Sequence, residues 1–175
     1  MNEQPYIDLY KQTVESIKKH SAACLNQRRD VAFDRFTAVG FPTKNEENYL
    51  YCHLMEHLGI DYGLNINRIN IPVDPSNVFK CDVPGIQAYL YFILNDQFYT
   101  GSGATSKPLP DGVVMCSMIE ASERYPELVA TYLGKQTANK KDGFTAFNEA
   151  FAQDGFFFYV PKNVVLETPI QLINI

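Results

Sequence analysis

The chain has 175 residues, of which 46% are hydrophobic and 20% are charged, with a formal net charge of −5. This composition is that of a globular protein with a sizeable core, and it excludes fibrous and disordered chains. The two basic stretches, Lys18–His20 and Arg28–Arg29, are short. A typical nucleic-acid-binding surface, which needs many cations to meet phosphates, is therefore excluded.

The N-terminus and the hydropathy pattern predict a cytoplasmic protein without membrane contact. Residues 1–11 lack the basic and then apolar regions of a secretory signal. No apolar run approaches the roughly 20 residues that cross a bilayer. The four cysteines follow no CxxC pattern, so free thiols in a reducing compartment are expected.

Apolar residues at helical spacing predict two helices at the start of the chain. One stripe consists of Tyr6, Leu9, Tyr10, Val14 and Ile17. A second runs from Leu25 to Val39, is interrupted at 26–30, and stops at Gly40, where a left-handed cap favours glycine. The interruption predicts a helix that is partly exposed.

Thr43 and Glu46 have the spacing of a capping box, which predicts a third helix. This helix would bury Tyr49, Leu50 and Leu54, and it would stop at Gly59. Residues 1–59 are therefore predicted to be a helical N-terminal segment.

Residues 60–154 are predicted to be a mixed α+β segment. Strands are expected at 65–71, 87–94, 97–99 and 113–118, because these runs are apolar or alternate. Asn95-Asp96 tolerates positive φ and predicts a hairpin. Helices are expected at 121–133, with Pro126 as an alternative start, and at 144–153.

The tail, residues 155–175, reads as the start of a β-solenoid. Its apolar runs 156–160, 164–166 and 170–175 are short and separated by turn residues. A solenoid needs several stacked rungs and a cap, so we expect the chain to be truncated relative to its natural protein. An unprotected edge at 170–175 predicts a homo-oligomer.

Three stretches resemble the SufB/SufD family, and SufD most. They are GFPTKNEENYLY at 40–51, LNDQFY at 94–99 with LPDGVVMCSM at 109–118, and FTAFNEAFAQDGFFFYVPKNVVLETPIQLINI at 144–175. The resemblance implies an α+β fold with N-terminal helices, a small mixed β region and the first strands of a right-handed β-helix. It also implies a non-catalytic scaffold subunit of SUF iron–sulfur cluster assembly.

The resemblance further implies SufB-like and SufC-like partner subunits. The family's residues for cluster chemistry and ATPase docking lie in later regions, so it implies no catalytic residue and no cofactor here. The alternative is an autonomous module that binds a protein partner through an exposed edge strand. An enzyme with a site in the loop 101–111 is a third, weaker hypothesis, since the Gly101–Gly103 pattern lacks the end of a phosphate-binding motif.

Four residues, His20, Cys24, His53 and His57, are candidate ligands of one metal site. Each pair is four residues apart on a predicted helix, and imidazole with thiolate suits zinc or iron. No loop with the spacing of a structural zinc site is present, and scattered His and Cys fall into such pairs by chance. No metal site is therefore predicted. If one existed, these four residues would be its candidate ligands.

Overall fold

The computed structural model describes residues 3–52, 58, 66–69, 72, 74–75, 88–99, 108–137 and 142–175. Five α-helices lie within these ranges: α1 (Gln4–His20), α2 (Ala23–Val39), α3 (Met118–Arg124), α4 (Pro126–Tyr132) and α5 (Gly143–Phe151). The strands described are β1 (Tyr89–Leu94), β2 (Gln97–Phe98), β3 (Val114–Ser117), β4 (Phe156–Tyr159) and β5 (Ile170–Asn174). The predicted α+β class is confirmed.

The chain forms two compact units, each built from two separate stretches. The helical unit contains Met1–Asn67 and Tyr125–Gln153, and the sheet unit contains Arg68–Arg124 and Asp154–Ile175. The three-segment division predicted from the sequence remains a prediction.

The first two predicted helices are present and pack in the helical unit. Tyr10 and Ile17 of α1 are buried, and α2 ends at Gly40, whose φ of +70° is the conformation that favours glycine there. Val39 was placed in the apolar stripe, but its side chain is 47% exposed.

Small residues let α5 lie close against α2. Ala150 packs with Tyr10 and Ala32 in one buried cluster, and Ala146 packs with Phe36 and Phe41 in another. Larger side chains at these two alanines would overpack the interface, which typically costs about 1–3 kcal/mol.

The predicted third helix is wrong in its described part. Only Glu47–Tyr49 is helical, as one 3-10 turn, and the side chain of Leu50 is 54% exposed rather than buried. Tyr49 is held by contacts to the distant start of α5, which override the local helical signal. Residues 53–57 and Gly59 lie outside the described part of the chain.

The sheet unit contains a three-stranded sheet with the order β2-β1-β5 and a two-stranded sheet of β3 and β4. β1 pairs with β2 antiparallel and with β5 parallel, from Tyr89 opposite Ile170 to Ile93 opposite Asn174. Asn95 and Asp96 have φ of +46° and +63°, which confirms the hairpin predicted there.

Three other predictions for this part of the chain need correction. In the described part of the predicted strand 65–71, residues 66–67 form a turn and Arg68 has φ +49°, so no strand is present there. Residues 164–166 also form no strand. The predicted helix 121–133 is two helices, because Pro126 cannot donate the N–H that would continue α3. Pro126 instead opens α4, as the alternative start predicted.

No helix in the described ranges is long and apolar enough to cross a membrane.

Candidate functional site

The four candidate metal ligands do not form a site within the described residues. His20 ends α1 and Cys24 lies at the start of α2, so the single helical face expected to carry both is absent. His53 and His57 lie outside the described residues. Across the ranges that the structure describes, no three His, Cys, Asp or Glu side chains are placed to hold a metal ion.

The loop considered for catalysis is described only from Pro108 onward, so that hypothesis stays untested. The thiol of Cys116, on the neighbouring strand β3, is 4% exposed. Burial raises its pKa to about 11, with a smaller contribution from Glu120. Such a thiol is a poor nucleophile, since the reactive species is the thiolate.

Arg29 is a buried charge that the sequence interpretation missed. It lies in the interrupted part of the α2 stripe that was predicted to be partly exposed, yet its side chain is fully buried. Its guanidinium donates to the carbonyl oxygens of Ala150 and Ala152 and to Oγ of Ser21. Arg29 lies four residues after Leu25 and three before Ala32, which places it on the apolar face of the helix. That spacing was the sequence signal that could have predicted its burial.

Glu149 of α5 forms a second polar cluster in the helical unit. Its carboxylate accepts from Arg35 at 2.5 Å and from the hydroxyl of Thr137, and it lies 3.6 Å from Arg28. Burial raises the pKa of Glu149, but the Thr137 hydrogen bond and the two guanidiniums outweigh it and lower the pKa overall. The carboxylate of Glu149 therefore stays ionised at neutral pH and joins α5 to α2 and to Thr137.

Asp142 caps α5 and also anchors the 3-10 turn. It accepts from the backbone N–H groups of Phe144 and Thr145 and, at 2.9 Å, from the hydroxyl of Tyr49. Burial raises the pKa of Asp142, but these hydrogen bonds and that from the Thr145 hydroxyl lower it overall. Burial and the bond to Asp142 raise the pKa of Tyr49 to about 12.

The sheet unit holds a comparable buried pair. Arg68 lies 3.1 Å from the carboxylate of Asp154, whose side chain is 3% exposed. The other carboxylate oxygen of Asp154 accepts from the backbone N–H of Ile119 at the start of α3. Like the clusters around Arg29, Glu149 and Asp142, this pair connects segments that are distant in the sequence.

The outer strand of the three-stranded sheet offers a surface for a partner. Among the described residues, β5 pairs with β1 alone. The N–H of Ile175 donates to the carbonyl of Ile93 in β1, and its C=O accepts from the N–H of Asn95, just after β1. Residues of a strand alternate in direction, so Leu172 directs its backbone groups away from β1. β5 has no charged residue, and the side chain of Leu172 is 39% exposed.

The polar clusters described above join segments of the chain, and sequence comparison identifies the family of the chain. A family model described as the SufBD protein N-terminal region matches residues 1–172. The chain belongs to the SufBD family. The match includes α1, which the recognised motifs did not cover.

Alignments with three relatives show what fraction of the length of a SufBD protein this chain covers. An iron–sulfur cluster assembly SufBD family protein of Synechocystis is 26% identical over 149 residues, which are 85% of this chain and 32% of the relative. Iron–sulfur cluster assembly protein SufD of Bacillus subtilis is 35% identical over 72 residues, 40% of this chain and 16% of that protein. The chloroplastic SufBD family protein ABCI8 of Arabidopsis thaliana is 41% identical over 60 residues, 34% of this chain and 11% of the relative.

The chain therefore spans about a third or less of the length of these SufBD relatives. No solved structure matches it significantly. Because the relatives include SufD and other SufBD proteins, the narrower assignment to SufD remains a prediction.

Proposed function

We propose that this chain is the N-terminal part of a non-catalytic scaffold subunit for iron–sulfur cluster assembly. The family match over residues 1–172 carries the proposal, and the named relatives are iron–sulfur cluster assembly proteins. The cluster is the cargo of the whole assembly, so these residues hold no cofactor of their own. The chain covers only a small share of the length of its relatives, so we propose, rather than observe, the activity and partners of the whole protein.

The chemistry of the described residues supports a non-catalytic role. Arg29, Asp142 and Glu149 are each engaged in hydrogen bonds that join helices or cap them. Cys116 is buried with a raised pKa. A catalytic site would require a nucleophile or a base that is accessible to a substrate, and these four groups are engaged in structural hydrogen bonds or buried.

We further propose that β4 and β5 begin a right-handed β-helix. Short strands and parallel pairing are features of that architecture. β5 pairs parallel with β1 and supports the proposal, whereas β4 pairs antiparallel with β3. The connection between β4 and β5 turns at Pro161–Asn163, where Asn163 has φ +67°. A cytoplasmic location is part of the same proposal, although one relative is chloroplastic.

The proposed partners are SufB-like and SufC-like subunits, and co-purification tests them. The tagged chain would be co-expressed with both subunits from its own source. Retention of either subunit after washing is expected if these residues contribute a binding surface. Loss of both, with the tagged chain folded by circular dichroism, would contradict a scaffold role for this part of the protein.

A second candidate function is that of an autonomous module that binds an extended segment along β5. Among the described residues, β5 pairs only with β1 and has no charged residue, which favours this module. An added strand would gain main-chain hydrogen bonds to outward groups such as those of Leu172. A second copy of the chain is one such partner, since edge strands without charged residues pair with each other.

Sedimentation velocity across a concentration series tests this second candidate. Leu172→Lys places a charge on the open strand, and Val165→Lys makes the same change on a 78% exposed side chain outside the strands. Self-association that persists in Val165→Lys and is lost in Leu172→Lys is expected. A strictly monomeric unsubstituted chain, or equal loss in both variants, would rule out pairing through β5.

A further inference from the structure

We draw no further inference here: the strongest candidate, the exposed apolar surface of β4 at Phe158, lies beyond Phe156, which packs against Tyr91 and Phe98, and nothing in the described residues shows what covers it.

Discussion

Arg29 in the middle of α2 donates a hydrogen bond to the carbonyl oxygen of Ala152, 2.7 Å away, where α5 ends. The last carbonyl groups of a helix have no partner within the helix. The guanidinium also reaches the carbonyl of Ala150, so one buried side chain satisfies two of these groups. Burial lowers the pKa of Arg29, and the carbonyl groups compensate part of the cost of its buried charge.

Replacing Arg29 by Met should lower the free energy of unfolding by about 3 kcal/mol. Each buried carbonyl left without a donor costs about 1–3 kcal/mol, and the apolar side chain supplies no substitute. Urea unfolding followed by circular dichroism measures the change. Lys11→Met, at an exposed position of α1 in the same unit, should stay within about 0.5 kcal/mol. Equal effects of the two substitutions would show that Arg29 does not support α5.

Glu149 should make the helical unit sensitive to acid. Its pKa in the folded chain lies below the usual 4.5, so its stabilisation is complete above about pH 4.5. That stabilisation is lost as the pH falls through the lowered value. Glu149→Gln should cost about 2 kcal/mol at pH 7, and it should then lose less stability between pH 7 and pH 3 than the unsubstituted chain does.

Urea unfolding at both pH values measures this difference, with Glu15→Gln as the control. The carboxylate of Glu15 is 87% exposed, so Glu15→Gln controls for the removal of a solvent-facing carboxylate. An acid dependence of Glu149→Gln that matches that of Glu15→Gln would contradict the role assigned to the Arg28 and Arg35 pairs.

The hydrogen bond from Tyr49 to Asp142 should couple the 3-10 turn to the start of α5. A double-mutant cycle with Tyr49→Phe and Asp142→Ala isolates this bond. We expect a coupling energy of about 1 kcal/mol, and a loss of about 1–2 kcal/mol for Asp142→Ala, which also removes the cap. Unfolding free energies of the four proteins provide the numbers, and strictly additive losses would exclude the coupling.

The cysteines should differ widely in reactivity. Cys52 is exposed and should react readily with iodoacetamide at pH 8, whereas Cys116 is buried. With a pKa of about 11, only about one Cys116 thiol in a thousand is ionised at pH 8. Peptide mass spectrometry should find Cys116 labelled only after denaturation. The variant Cys52→Ser should lack the rapid labelling of the peptide that contains residue 52. Native labelling of Cys116 at the rate of Cys52 would show that β3 opens readily.

Local patterns predicted the elements that depend on neighbouring residues. The stripe of Tyr10 and Ile17 predicted α1, Gly40 predicted the end of α2, and Asn95-Asp96 predicted the hairpin. Each signal acts within a few residues, because helical spacing and turn conformations are properties of short segments.

Two of the errors and omissions lie where residues distant in the sequence decide the structure. A capping-box spacing at Thr43 predicted a long helix, but Tyr49 instead bonds Asp142, a residue 93 positions away in the sequence. The Arg29 contacts to Ala150 and Ala152 span 121 and 123 positions. From the sequence alone, a charged residue within an apolar stripe is interpreted as an interruption. The structure is needed to show that Arg29 donates to two carbonyl groups.

The amino-acid sequence by itself therefore determined the family, the α+β class and the local elements, since motifs and periodicity depend only on residues that are close together in the sequence. Only the tertiary structure decided that two interleaved stretches build each unit. It also decided that Arg29 is buried and that β5 pairs with β1, because these depend on which segments meet in space.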